Sequence, residues 1–192
     1  MYRTVDLKQG SPEWLEWRRT GIGASEAPII LGISPYSKPK KLWMEKTGQL
    51  QPKASSSWVM EQGHIFESKV RAYMEFMDTQ KYSPVCVESL IRPFLKASLD
   101  GFDESRNFII EIKMVGRKML ESDEIPPHHF AQFQHQMMVC GALDMLEIYG
   151  LVDEFGELHK KERIVFRDAE FIKNMMEAEI AFQEKVEKKI EP

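Results

Sequence analysis

Cysteine is almost missing from this chain, and its scarcity removes several kinds of function. Cys86 and Cys140 lie far apart and form no CxxC pair. That excludes a four-cysteine iron–sulfur cluster and reads as two buried thiols in a reducing cytoplasm. No run of eighteen apolar residues occurs, and the N-terminal MYRTVDLKQGS has no apolar core, so neither a membrane span nor a secretion signal is expected. Positive charge is not in excess either: 26 Lys and Arg against 30 Asp and Glu give a net charge of −4. A polycation that coats nucleic acid is therefore excluded, and any contact with DNA has to use a local basic patch. Repeats, low-complexity tracts and linkers are absent. The 192 residues, 43% hydrophobic and 29% charged, suit one domain spanning 1–192 that can bury a core without staples.

Local signals divide the chain into elements. Ser11-Pro12-Glu13 reads as a helix start, with Ser as cap and Pro in the first turn. The turn Gly21-Ile22-Gly23 precedes a short helix, ASEAPIIL, that Gly32 can end. Ser37 is the expected cap of a third helix running to Thr47-Gly48. QPKASSS reads as a loop, and Ser57 as the cap of a long helix from Trp58 to about Met77. The strands VCVESLI, FLKASLDG and FIIEIKM follow, then a helix opened by Pro126-Pro127 and ended by Gly141. MLEIYGLV and HKKERIVF form a hairpin around DEFGE, and a last helix runs from Asp168 to about Ile190. This order predicts an α/β sandwich around a mixed sheet.

The stretch from Leu95 to Lys113 carries the chemistry. Asp100 ends one strand, and Glu111 and Lys113 lie two apart in the next. Strand alternation puts these last two on one face and Ile110 and Ile112 on the other. Two carboxylates and an ammonium on a hairpin suit a Mg²⁺ site for phosphodiester hydrolysis; a solvated hairpin carrying a salt bridge fits the same residues. Asp100 and Glu111 share a face only if the paired residue numbers add to an odd value. Glu67, in GHIFES on the long helix, can aim a third carboxylate at such a site if that helix packs beside the hairpin, and is otherwise a solvated side chain. His64, one turn earlier, reads as a surface histidine. Gln132 and Gln136 share a face of their helix and Gln134 does not; an amide there can hold a site residue or form a polar flank. Arg18-Arg19 before GIGASE make an anion seat, with capping Ser25 and helix amides as donors and an arginine as clamp.

Taken together, WRRTGIGASEAPIILGISPY, GHIFES, KASLDG…IIEIK and FAQFQHQMMVCGA resemble one family. They are similar, in order over residues 14–142, to the YqaJ-type viral recombinases, the group that includes phage lambda exonuclease, within the PD-(D/E)xK nuclease superfamily. The last fifty residues carry no such motif. Two departures stand out: Leu99 replaces the superfamily's proline before the first acid, and His129 stands where relatives often have tyrosine.

The resemblance implies an α/β fold with a PD-(D/E)xK nuclease-like core, a mixed sheet flanked by helices. It implies that Asp100 and Glu111 bind the catalytic Mg²⁺, two ions with Mn²⁺ able to substitute. Glu67 and the backbone carbonyl of Ile112 would complete the shell. Lys113 would position the attacking water and Gln132 would lie near it, while Arg19, Ser25 and Ser98 would hold a terminal 5′-phosphate. The implied activity is a processive 5′→3′ exonuclease on double-stranded DNA that releases 5′-mononucleotides and leaves a 3′ single strand for annealing. A homotrimer ring, a single-strand annealing protein as partner, and a phage or prophage origin in a bacterial cytoplasm belong to the same implication. The alternatives are a nicking or restriction-type endonuclease on this scaffold, or a catalytically inactive DNA-end-binding adaptor.

Overall fold

The structure, a computed structural model, describes residues 1–51 and 57–192. Residues 52–56 of the expected loop, and the capping role expected of the Ser57 side chain, lie outside what is described. Among the described residues there are seven strands: β1 Tyr2–Val5, β2 Ile22–Gly23, β3 Ser83–Ser89, β4 Leu95–Asp103, β5 Phe108–Met114, β6 Asp144–Val152 and β7 Leu158–Phe166. The helices are α1 Pro12–Arg19, α2 Ala27–Ile30, α3 Pro39–Lys46, α4 Ser57–Asp78, α5 Arg117–Glu121, α6 Pro127–Cys140 and α7 Ala169–Lys188.

Caps explain several boundaries. Ser11 Oγ accepts from the Trp14 amide at 3.2 Å and starts α1, and Asp168 does the same for Phe171 at 2.9 Å before α7. Ser37 is not the cap of α3: Lys38 occupies that position without a side-chain bond, and Pro39 begins the helix, where its missing N–H costs nothing.

The strands form one sheet in the order β1-β3-β4-β5-β6-β7, with β2 paired to β4. β5 to β6 and β2 to β4 are parallel and the other pairs antiparallel. The sheet is therefore mixed, as its alternation of strands and helices predicted. The parallel β5–β6 pair needs a crossover, and α5 and α6 provide it. One face packs on α6, where Phe133 and Met137 meet Leu99, Ile109 and Tyr149. The other packs on α4, where Phe66, Val70 and Met74 meet Ile110, Ile112 and Ile148. Burial of these side chains, about 1.5–3 kcal/mol each, holds the two helices across the sheet and leaves Glu111 and Lys113 directed toward α6.

Candidate active site

A split in the sheet opens the site. β4 bonds β2 at Leu95 and Lys96 and β5 at Gly101, Phe102 and Asp103, so the edge between, residues 97–100, faces no strand in these ladders. β5 runs on to Met114 along β6 instead. Gly101 pairs with Ile110 and Phe102 with Ile109, the odd-sum register that brings Asp100 and Glu111 to the same face. β4 also carries one more residue than β3 between the pairs Val85–Leu99 and Ser83–Phe102. This β-bulge at Asp100–Gly101 re-aims the strand beside the opening. It needs glycine: a Cβ on Gly101 would sit 2.5 Å from Ile110 Cγ1.

Helix and strand side chains then converge. Asp100 Oδ2 accepts from the Ile112 amide at 2.9 Å, and Arg71 of α4 donates to the Asp100 carbonyl at 2.6 Å. Glu111 is 3% exposed. Its Oε1 accepts from Lys113 Nζ at 3.0 Å and Gln132 Nε2 at 2.6 Å, and its Oε2 from Gln136 Nε2 at 2.7 Å. Lys113 also donates to Gln132 Oε1 at 3.1 Å. Glu67 reaches the same cavity of about 620 Å³, with exposed His64 3.2 Å from its carboxylate. The Asp100 carboxyl is pushed well above the usual range by burial, then by the negative charge of Glu111 and of Glu67. Burial opposes the charge on Lys113, but Glu111 and Asp100 outweigh it and its pKa is raised. Oxygen donors carrying more negative charge than their surroundings balance fit a hard divalent cation. Among the described residues, three or more His, Cys or carboxylate side chains close within 4.8 Å of one another at Asp153, Glu157 and His159, at the β6–β7 turn. There Asp153 is already engaged by the Phe155 and Glu157 amides and by His159.

A second, smaller cavity of about 130 Å³ adjoins the first and shares Asp100, Glu111, Gln132 and Ser25 with it. Arg18 and Lys96 are the cations that line it, and Arg18 is the one bonded to Ser25. The Arg18 guanidinium lies over the Trp14 ring, 4.6 Å from its centroid, and Nη2 donates to Ser25 Oγ at 2.9 Å. Ser98 Oγ accepts from Trp14 Nε1 at 2.8 Å on the same wall. Ser25 and Ser98 thus line this cavity together with Arg18, and Arg19 does not. It points to solvent, 53% exposed, and forks onto Glu16 at 2.9 and 2.7 Å. Neighbours on a helix diverge by about 100°, and α1 turns Arg18 inward. Buried lysines brace the turn beneath. Lys46 pairs with Glu26 at 2.8 Å and donates to the carbonyls of Arg18 and Gly21; Lys96 donates to the Trp17 carbonyl and Thr20 Oγ1. Gly21 has no room for a side chain, since a Cβ would lie 2.4 Å from the Phe94 carbonyl oxygen.

Two residues of this site were not singled out from sequence. Gln136 was placed only on the face of Gln132, and its buried amide is what holds the second oxygen of Glu111. Arg71 had no local signal. Gln134, on the other side of α6, donates to the Phe166 carbonyl and accepts from the Asp168 amide, so it ties α6 to the start of α7. His129 lines the larger cavity with Nδ1 bonded to the Tyr149 hydroxyl. Burial, then the charge of Lys113, lowers its pKa to about 3, so the ring is neutral.

Comparison with known proteins bears on the family and the fold. Residues 13–143 match the YqaJ-like viral recombinase domain. The Bacillus subtilis (strain 168) protein described as "Uncharacterized protein YqaJ" is 31% identical over 177 residues, covering 88% of this chain and 54% of that protein. The chain thus spans about half the length of the curated relative it matches. An alkaline exonuclease from Laribacter hongkongensis, LHK-Exo, superposes with a TM-score of 0.76 at 18% identity over 94% of this chain and 95% of its own. Its complex with dAMP superposes with a TM-score of 0.76 at 19% identity over the same shares. The fold is that of these nucleases, an α/β core with the mixed sheet between helices.

Proposed function

The chain belongs to the YqaJ-like viral recombinase family, and on that premise we propose that residues 1–192 act as one exonuclease domain on double-stranded DNA. It degrades 5′→3′, releases 5′-mononucleotides and leaves a 3′ single strand for annealing. The observation that carries this reading is the pair of adjoining cavities, which share Asp100, Glu111, Gln132 and Ser25 while Glu67 and Lys113 line one and Arg18 lines the other. An exonuclease needs this pair: a seat for the terminal phosphate, and beside it a place to cut the next bond. The LHK-Exo complex with dAMP supports a nucleoside monophosphate as product.

Asp100, Glu111, Glu67 and the Ile112 carbonyl would hold Mg²⁺, two ions with Mn²⁺ able to substitute, which supplies positive charge against the transition state and makes water a better nucleophile. The protein's own groups do the rest. Gln132 and Gln136 fix both oxygens of Glu111. Lys113, held between Glu111 and Gln132, offers its remaining donor capacity to the reacting phosphate, where charge develops. Arg18 with Ser25 and Ser98 takes the terminal 5′-phosphate. The guanidinium suits a doubly charged oxyanion, and the seat defines the direction of travel. Arg18 replaces Arg19 in this role. A homotrimer ring threaded by the duplex gives processivity without tight binding, and a single-strand annealing protein receives the 3′ strand. Both belong to the reading, as does a phage or prophage origin with action in a bacterial cytoplasm. No helix among the described residues is long and apolar enough to cross a membrane.

The test is product analysis. Linear and closed-circular duplex are incubated with Mg²⁺. Mononucleotides from linear DNA and intact circles are expected. Nicked or linearised circles would favour the endonuclease reading, and DNA bound but uncut would favour the adaptor.

A further inference from the structure

Tyr36 is 79% exposed, an unusual position for an aromatic ring beside a charged cavity. It lines the larger cavity on a loop that is braced rather than loose. The Ile33 and Ser34 amides both donate to the Pro28 carbonyl at 3.0 Å, and Ser34 Oγ accepts from the Tyr36 amide at 3.2 Å. The ring is propped edge-on by His128, with centroids 5.6 Å apart and planes at 83°, and His128 lies 4.4 Å from His129. This T-shaped contact fixes the ring's orientation and leaves most of its surface to solvent. The other rings lining the cavity are imidazoles: His129 is committed to Tyr149, and His64 lies against the Glu67 carboxylate.

We propose that Tyr36 is the stacking platform of a nucleobase subsite, which receives the base of the 5′-terminal nucleotide while the bond after it is cut. The inference rests on the function proposed above and goes beyond it by assigning the base. With the terminal phosphate at Arg18 and the next phosphate at Asp100 and Glu111, the first nucleoside spans the boundary between the two cavities. Ser25 lines both cavities and Tyr36 lines the larger one. Carboxylates are poor company for a base, whereas an aromatic face accepts any of the four with a stacking energy sufficient to offset loss of the neighbouring base pair. A pre-oriented ring loses little side-chain freedom on binding. The terminal base pair therefore opens onto Tyr36, and sequence preference at the end is weak.

The test uses 5′-phosphorylated duplexes whose first nucleotide carries a base or is abasic, with wild type, Tyr36→Ala and Tyr36→Trp. Wild type and Tyr36→Trp should release the normal first nucleotide about tenfold faster than the abasic one. Tyr36→Ala should be slow on both and nearly indifferent. Equal discrimination by Tyr36→Ala and wild type overturns the subsite. A second arm needs no hydrolysis: a 5′-phosphorylated dinucleotide with or without its first base is titrated in calcium. A roughly tenfold affinity ratio in wild type that collapses in Tyr36→Ala supports the subsite, even if no duplex is degraded and the exonuclease reading fails. Equal affinities in wild type overturn the subsite even where duplex degradation is rapid.

Discussion

Inward-facing carboxylates are treated in opposite ways in two regions of this molecule. In the body of the fold each has its cation. Glu147 is gripped by Arg163 at 2.8 and 3.1 Å, Glu179 by His135 at 2.7 Å, and Glu88 by Arg3 together with the Trp17 indole at 2.9 Å. At the split between β4 and β5, Asp100, Glu111 and Glu67 face one cavity, and among the described residues the ammonium touching them is that of Lys113. Arg71 is close, but it reaches only the main-chain carbonyl of Asp100. Buried charge left unpaired is costly, so a fold that balances its interior acids and leaves these in excess has reserved them for a ligand. The raised Asp100 carboxyl reports the same imbalance.

The contrast can be broken from either side. The largest expected effect is on catalysis. Asp100→Ala, Glu111→Ala and Lys113→Ala should each reduce nucleotide release by about 10²–10³-fold or more. Their losses should be strongly non-additive because the three act as a unit, and circular dichroism should show an unchanged fold. On the balanced side, Arg163→Met strands Glu147 and should cost about 3–5 kcal/mol of stability, seen as a drop in Tm of about 2–4 °C per kcal/mol. At the phosphate seat, wild type should degrade 5′-phosphorylated duplex about 10- to 100-fold faster than 5′-hydroxyl duplex, the scale of a charged hydrogen bond. Arg18→Ala should erase that preference and Arg19→Ala should keep it, both at fixed ionic strength. The smallest effect is a gain. A carboxyl raised in the folded state holds its proton longer there than in the unfolded chain, so metal-free stability declines as pH rises from the ordinary carboxylate range through the raised value. Asp100→Asn removes that loss. In EDTA it should melt a few degrees above wild type at neutral pH, about 2–4 °C per kcal/mol, with the gap closing toward about pH 4.

What the sequence disclosed follows range of interaction. Ser11, Gly141 and the alternation of Ile110, Glu111, Ile112 and Lys113 are local signals, and the helix ends and strand faces they specify are present. The odd-sum register of β4 and β5 was the form a shared site required. The short parallel strand β2 and the N-terminal β1 depend on partners 70 or more residues away in sequence, the bulge at Asp100 depends on its register against β3, and nothing local marks them. Arg18 and Arg19 are equivalent as letters. Only the packing of α1, with Trp14 under one guanidinium and Glu16 beside the other, separates them. Gln136 is distinguished from Gln134 by helical phase, which was legible, but its partner Glu111 was not.

Nucleotide release from linear 5′-phosphorylated duplex, measured in EDTA and again as Mg²⁺ is added back, addresses the unbalanced cavity itself. Wild type should be inactive in EDTA and recover along a saturable curve, and Asp100→Asn should recover nothing. Full turnover in EDTA, or wild-type rates from Asp100→Asn, would contradict a divalent-ion site at Asp100 and Glu111.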